Sequence, residues 1–67
     1  MKNRVKDHRR NKGFTQEELA KLLGVSRQTI ISIESGRYVP STMLSLKISH
    51  FLGKKVEELF TLEKSDF

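Results

Sequence analysis

Few residues in this chain of 67 are of the types that catalyse reactions or bind metals. It has no cysteine, and His8 and His50 lie 42 positions apart, so we expect no disulfide, no cysteine nucleophile and no clustered zinc ligands. No serine lies in a nucleophile motif. The acidic pairs Glu17-Glu18 and Glu57-Glu58 lie at predicted helix starts, where acids favour the positive end of the helix dipole. The sequence therefore argues against an enzyme, a metal site and a bound cofactor.

Small polar and amide side chains recur on one face of a helix predicted to begin near residue 27. At about 100° per residue, Ile33 falls on the same side as Ile30. Gln28 and Ser32 face directly away from them, and Arg27 lies at the N-terminal end of that outer face. A glutamine can pair bidentately with the N6/N7 edge of adenine, and short neighbours permit close approach. An ordinary solvated face is the alternative, but such a face usually carries more Glu and Lys.

The helix that precedes this face has the clearest start. Thr15 followed by Glu18 forms a capping box, in which each side chain accepts a hydrogen bond from the other residue's backbone N–H. Phe14 and Leu19 supply the matching hydrophobic staple. Gly24 is expected to end the helix in the left-handed conformation. The leucines expected on its buried stripe are Leu19, Leu22 and Leu23.

The remaining glycine and proline residues, which end helices, and the remaining capping residues predict a single all-α domain over residues 1–67 with five short helices. We expect a first helix over about Asn3–Asn11, with Val5 and His8 facing inward. Ser26 and Ser41 are predicted to cap the third and fourth helices, and the fourth runs to about Leu52. A fifth helix is expected over roughly Val56–Phe60, followed by a short strand at residues 60–62 within a tail of about 61–67.

The net charge of +5, from 13 basic and 8 acidic side chains, lies entirely in one part of the chain. Residues 1–40 carry nine bases and four acids, whereas residues 41–67 carry four of each. This asymmetry favours a polyanionic partner, although charge alone does not separate DNA, RNA and acidic membrane. No apolar run approaches the roughly 18 residues of a membrane span. We therefore expect a cytoplasmic, nucleoid-associated protein.

The segment from Thr15 to Gly36, TQEELAKLLGVSRQTIISIESG, resembles the helix-turn-helix of the Cro/phage-repressor-type regulators, also called the xenobiotic-response-element family. Similarity extends upstream at Arg9 and Gly13 and downstream as far as Phe60. The resemblance implies a compact five-helix repressor-like domain, with the helix-turn-helix in helices 2 and 3. It also implies binding to operator DNA, commonly as a dimer, in a mainly prokaryotic family.

The resemblance also implies roles for individual residues. The residues at the base-reading positions are Arg27, Gln28 and Ser32. Thr29 is expected to read bases beside them, at a position that also contacts the DNA backbone. Those expected to contact phosphates are Gln16, Ser26, Lys21, Arg37 and Tyr38. Arg9 and Glu34 match a partly buried ion pair between the first and third helices. Three departures stand out: His8 replaces a leucine, Ile31 replaces a polar residue, and Lys55 replaces a Ser/Thr cap, so the fifth helix is expected to fray.

These observations predict a sequence-specific regulator of transcription, a repressor that binds a palindromic operator as a homodimer. A single reading helix contacts only a few base pairs, and a second copy would also supply burial that a small chain lacks. The residues predicted to form the dimer surface are Val56, Leu59, Phe60, Leu62 and Phe67, with Met43 adjoining. The alternative for Leu59 and Phe60 is the monomer core. The alternative function is a protein-interaction module of the same fold, such as an antitoxin or anti-regulator, which a long exposed C-terminal arm would favour.

Overall fold

A computed structural model describes all residues, 1–67. Five helices follow one another along the chain: α1 (Val5–Asn11), α2 (Gln16–Leu23), α3 (Arg27–Glu34), α4 (Thr42–Leu52) and α5 (Val56–Leu59). Two short strands, β1 (Lys2–Asn3) and β2 (Phe60–Thr61), pair antiparallel, and a 3₁₀ helix covers Lys64–Asp66. The predicted five-helix fold is confirmed, and a small sheet joins the two ends of the chain. None of the helices is long and apolar enough to cross a membrane.

The helix starts are set by local hydrogen bonds. The Thr15 hydroxyl accepts from the Glu18 N–H at 3.0 Å, and the Glu18 carboxylate accepts from the Thr15 N–H at 2.8 Å, which confirms the capping box. Ser26 and Ser41 cap α3 and α4 in the predicted way, accepting from the N–H groups three residues later. Gly24 ends α2 with φ +73°, in the region that favours glycine. Each of these contacts spans three or four residues, so each can be predicted from spacing alone.

The fifth helix begins without the side-chain cap that a serine or threonine would provide, but one backbone N–H at its start still has an acceptor. The Glu58 carboxylate accepts a hydrogen bond from the Lys55 backbone N–H at 3.0 Å. This is the returning half of a capping box, and it satisfies one free donor at the helix start.

The core joins all five helices and β2. α2 and α3 pack against each other across the turn at residues 24–26, and Lys47 from α4 donates to the Leu23 carbonyl at 3.2 Å, which satisfies an acceptor at the end of α2. The hydrophobic core consists of eleven buried apolar residues: Val5, Leu19, Ala20, Leu23, Ile30, Ile33, Leu44, Ile48, Leu52, Leu59 and Phe60.

Three details of the sequence interpretation are wrong. Leu22 is 41% exposed, because at about 100° per residue it points about 60° away from Leu19 and about 100° away from Leu23, at the margin of the buried stripe. The first helix begins at Val5 rather than Asn3, since Lys2 pairs with Thr61 and Asn3 with Phe60. The strand ends at Thr61 and does not include Leu62.

Asn3 links this strand pair to α3. Its side-chain amide donates to the Ile33 carbonyl at 2.9 Å, and its side-chain oxygen accepts from the Val5 N–H at 3.2 Å. One residue therefore starts α1 and attaches it to the last turn of α3.

Residues 61–67 fold back onto the start of the chain rather than forming an arm. The Met1 amino group lies 3.1 Å from carboxylate oxygens of both Glu63 and Asp66. The amino group donates hydrogen bonds to these carboxylates, first of all to that of Glu63, and this raises its pKa. The pKa of Asp66 is lowered, first by the hydrogen bond from the Glu63 backbone N–H and then by the amino group.

The capping box of α2 makes stability depend on pH. The hydrogen bonds from Thr15 lower the pKa of Glu18 below its ordinary value of 4.5, so its contribution is full above that pH and is lost as the pH falls through the folded-state pKa. Glutamine can complete a capping box without titrating. We expect the urea midpoint of Glu18→Gln to fall less than that of the wild type between about pH 5 and pH 2.

Glu17→Gln is the matched control, because Glu17 is exposed in the same helical turn and its side chain makes no hydrogen bond. Its midpoint should fall as steeply as that of the wild type. Parallel acid profiles for the wild type and Glu18→Gln would contradict the assignment. Some acid sensitivity should remain in every variant, because Asp66 also has a lowered pKa.

Candidate nucleic-acid interface

The outer face of α3 presents short polar side chains, as the helical spacing predicts. Arg27 and Gln28 are exposed, and Ser32 is half-buried. Thr29 is also half-buried, and its hydroxyl lies 3.0 Å from that of Ser26 within the helix cap. Arg27 and Gln28 are therefore the two base-reading candidates that are exposed and whose side chains make no hydrogen bond within the chain.

The loop after α3 is attached to the same helix. The Ser32 carbonyl accepts hydrogen bonds from the Arg37 N–H at 3.0 Å and the Tyr38 N–H at 3.2 Å. It also accepts from the Ser35 hydroxyl at 3.1 Å. Arg37 and Tyr38, which were predicted to contact phosphates, are thus held at a defined position relative to the predicted base readers.

A buried charge pair connects α1 to α3. Arg9 Nε lies 2.7 Å from Glu34 Oε2, and the two side chains are only 8% and 5% exposed. A second bond of 3.2 Å, from Arg9 to Glu34 Oε1, makes the pair bidentate, and the remaining nitrogen of Arg9 donates to the Phe14 carbonyl at 2.8 Å. The structure thus brings together the two residues that the family resemblance pairs.

Gln16 completes this network from the start of α2. Its side-chain NH₂ donates to Glu34 Oε1 at 3.2 Å, so one carboxylate accepts hydrogen bonds from α1 and from α2. The amide oxygen of Gln16 stays without a partner in the chain. Gln16 therefore connects the start of α2 to the end of α3.

A polar cleft opens beside this network. It has a volume of about 550 Å³ and lies between α1 and the starts of α2 and α3. No hydrophobic residue lines it; the lining residues are Lys6, Arg9, Arg10, Thr15, Gln16, Glu17 and Arg27. Lys6 and Arg10 were not among the predicted site residues. Their i, i+4 spacing on one face of α1 is the sequence signal that could have identified them.

The structure does not bring Lys21 together with the other predicted phosphate contacts. Lys21 lies on another side of α2, beside Phe14, Glu18 and Leu22.

Two residues predicted for the dimer surface lie in the monomer core instead. Leu59 is fully buried and Phe60 is 9% exposed, because α5 and β2 complete the packing against α4 and β1. A partner chain could not reach Leu59, so that part of the prediction is wrong. Val56 is half-buried, whereas Leu62 is 59% exposed and Phe67 is 93% exposed.

An exposed apolar surface lies instead on α4 and the loop before it. Val39 and Leu46 are each 59% exposed, and Met43 is 70% exposed. Val39 and Leu46 line a cavity of about 410 Å³ together with Met1, Pro40, Val56 and Phe60. Of the residues on this surface and around its cavity, the sequence predicts only Met43, Val56 and Phe60 for an interface, because periodicity shows that a residue is apolar but not that the fold leaves it uncovered.

The histidines have no partners suited to catalysis. His50 is exposed and its ring contacts Phe51 edge-on, with centroids 5.1 Å apart. His8 is half-buried, and its Nδ1 makes no hydrogen bond. The chain contains no group of three or more acidic or histidine side chains arranged to hold a metal ion.

The amino-acid sequence is similar to those of known helix-turn-helix proteins. A sequence profile of the family described as helix-turn-helix matches residues 5–59. The chain is 53% identical over 66 residues to an HTH-type transcriptional regulator of Methanocaldococcus jannaschii, covering 98% of this chain and 100% of that protein. It is 47% identical over 66 residues to the HTH-type transcriptional regulator YgzD of Bacillus subtilis, with the same coverage of 98% and 100%. The resemblance inferred from Thr15–Gly36 is confirmed.

Solved structures agree on the fold. The restriction-modification controller protein C.AhdI from Aeromonas hydrophila is 34% identical, with a TM-score of 0.75, and the match covers 84% of this chain and 81% of that one.

The charge network leads to a test of stability. Glu34→Ala would leave the buried Arg9 guanidinium without its carboxylate, which typically costs about 3–5 kcal/mol and approaches the entire stability of a domain this small. We expect Glu34→Ala to be largely unfolded in water, as measured by circular dichroism during urea titration. Arg9→Met/Glu34→Leu removes both charges and should recover most of the lost stability. A Glu34→Ala midpoint close to that of the wild type would show that the pair is dispensable.

Proposed function

This chain belongs to the helix-turn-helix family of transcriptional regulators of Cro and phage-repressor type, and we propose that it binds a specific sequence in double-stranded DNA through α3. The observation that carries the proposal is the exposed Gln28 on α3. The start of α2 and the loop after α3 are both attached to this helix by hydrogen bonds. Gln16 reaches α3 through Glu34, and the Arg37–Tyr38 loop reaches it through the Ser32 carbonyl.

In this proposal, base reading and phosphate binding are performed by different parts of one rigid unit. α3 enters the major groove, where the Gln28 amide can pair with an adenine edge and Ser32 with either base type. Gln16, Ser26, Arg37 and Tyr38 face the phosphates on either side and set the depth and register of the helix. The excess positive charge of residues 1–40 adds attraction that does not depend on sequence.

We further propose that two copies bind a palindromic operator. The molecule measures 33 × 21 × 19 Å, and successive half-sites on one face of DNA lie about 34 Å apart, so neighbouring copies can touch while each occupies a groove. The exposed apolar residues Val39, Met43 and Leu46 follow directly after the Arg37–Tyr38 loop. A contact between copies there covers Met43 and Leu46, the most exposed apolar side chains of α4.

Repression is the regulatory outcome that we propose. A dimer bound across a promoter excludes the polymerase by occupying its site, which requires no chemistry beyond the DNA contact. The alternative of a protein-interaction module lacks the feature that would favour it, because residues 61–67 fold back onto Met1 instead of extending as an arm.

Selection of bound sequences from a random pool of duplexes tests DNA binding most directly. We expect an enriched half-site repeated with two-fold symmetry, at a spacing of about one helical turn. A reporter placed behind the selected site should lose expression when the protein is supplied. If no sequence is enriched and no duplex is bound, DNA binding is refuted and the protein-interaction alternative takes its place.

Gln28→Ala tests the reading residue. We expect it to lose about 1–3 kcal/mol of discrimination at one base-pair position, while the salt dependence of binding stays as in the wild type. Arg37→Ala is the comparison: it should weaken binding to all sequences alike and lower the salt slope by about one. Both are measured by fluorescence anisotropy against single-position variants of the site. An equal loss on every sequence for Gln28→Ala would remove it from the base readers.

Leu46→Glu tests the proposed contact between copies. Placing a carboxylate in the apolar surface should convert a dimer to a monomer in sedimentation experiments at micromolar concentration. Leu22→Glu is the matched control, since Leu22 is also exposed but lies on α2, away from that surface. A dimer that survives Leu46→Glu but is lost with Phe67→Glu would move the interface to the C-terminal residues.

A further inference from the structure

Ile31 on α3 is a half-buried apolar side chain that the core does not use. Other half-buried apolar side chains do pack against the core, namely Met1, Phe14, Val25, Phe51 and Val56. Ile31 is not among them, and it is not a member of the core itself. A β-branched side chain in the middle of a helix also lowers helix propensity slightly. The fold therefore gains little from an isoleucine at this position.

The helical position of Ile31 places it beside the proposed base reader. At about 100° per residue, Ile31 points about 100° away from Ile30 and about 160° away from Ile33, the two buried residues of α3. It points only about 60° away from Gln28 and about 40° away from Ser35, both of which are exposed. The side chain thus belongs to the outer face of α3, about one turn beyond the residue that we propose to pair with adenine.

The surroundings of Ile31 are polar. It is the one hydrophobic residue in the lining of a cavity of about 220 Å³, whose other lining residues are Lys6, Gln16, Glu34 and Ser35. A single apolar side chain among polar ones is far smaller than the patch of several hundred Å² that marks a protein partner. The methyl groups of Ile31 are therefore suited to a small apolar group that is itself presented within a polar surface.

The major groove of DNA presents such a group. The base edges in that groove carry hydrogen-bond donors and acceptors, and the C5-methyl of thymine is the apolar exception. An apolar side chain that covers this methyl removes both groups from water, and burial of a group of this size corresponds to about fourfold in affinity. The contact needs no hydrogen bond, so it recognises thymine by its methyl group alone.

We propose that Ile31 determines specificity by contacting the C5-methyl of a thymine in each half-site. The inference rests on the proposed function, because it needs α3 in the major groove with Gln28 at a base edge. The helix rises about 4.5 Å from Gln28 to Ile31, compared with about 3.4 Å between stacked base pairs. The thymine is therefore one or two base pairs away from the pair that Gln28 reads. Because Ile31 replaces a polar residue of the family pattern, the methyl contact is particular to this chain.

Deoxyuridine tests the contact, because it differs from thymidine only in lacking the C5-methyl. Each thymine of the selected duplex is replaced singly, and the affinity is measured by fluorescence anisotropy. We expect the wild type to lose about fourfold in affinity at a thymine of each half-site, within about two base pairs of the position whose preference Gln28→Ala removes. Because the contact involves no charge, the ratio of the two affinities should stay the same between about 50 and 200 mM salt.

Ile31→Ala shows whether Ile31 is the residue that senses the methyl. This variant should bind the thymine and deoxyuridine duplexes equally, since its shorter side chain no longer covers the methyl. Alanine favours helices more than isoleucine does, so the urea midpoint should change little. Leu22→Ala is the matched control, because Leu22 is an exposed aliphatic residue on α2, away from Gln28. The control should keep the ratio of the wild type.

The outcomes separate this inference from the proposed function. If the wild type binds no duplex, both fail. If it binds a specific site but distinguishes no thymine from deoxyuridine, only the methyl contact is refuted. The same holds if Ile31→Ala distinguishes them as the wild type does. A urea midpoint of Ile31→Ala as low as that of Ile30→Ala would place Ile31 in the core and overturn the inference as well.

5-Methylcytosine tests the other source of a methyl group, because it carries the methyl at the same ring position. The sensitive thymine–adenine pair is replaced by a cytosine–guanine pair with and without this methyl. The wild type should prefer the methylated pair to the plain one, and Ile31→Ala should not. Tighter binding of the wild type to the methylated pair than to thymine–adenine would assign the contact to a modified cytosine and overturn its assignment to thymine.

Discussion

The Glu34 carboxylate is the point on which the geometry of this small domain depends. It lies at the end of α3 and accepts hydrogen bonds from Arg9 on α1 and from Gln16 at the start of α2. Apolar packing between short helices is non-directional and tolerates sliding, whereas a buried bidentate pair does not. The carboxylate therefore sets the angle between α3 and the start of α2. Removing one charge leaves the other buried, so the arrangement is retained as a unit or lost as a unit.

The sequence predicted those parts of the fold that depend on local contacts. The Thr15–Glu18 box and the Ser26 and Ser41 caps are decided within one helical turn, and spacing identified all of them. The pairing of β1 with β2 was missed on the β1 side, because two residues are too few to show alternation and their partners lie at the other end of the chain. Leu22 was misplaced for a related reason: a stripe of leucines shows that a helix has an apolar side, but its neighbours decide how wide the buried side is.

In the candidate site, too, the features that depend on local spacing were predictable and those that depend on the tertiary structure were not. Helical spacing alone predicted that Gln28 faces away from the isoleucines, and the family pattern paired Arg9 with Glu34. The cleft that unites Lys6 and Arg10 with Arg27 was not predictable, because its lining comes from three elements whose relative positions depend on the tertiary structure. The same holds for Leu59, whose apolar character fits an interface or a core equally well until α4 and β2 are seen around it.

The strand pair also has a consequence for how the domain assembles. Lys2 pairs with Thr61, so the loop closed by this contact contains all five helices. Closing a loop costs entropy that grows with its length, and the turns between successive helices are far shorter. We therefore expect the helices to associate first and the chain ends to meet last. By the same reasoning, the amides of the strand pair should exchange with solvent through small local openings, while those of α2 and α3 exchange only when the whole domain unfolds.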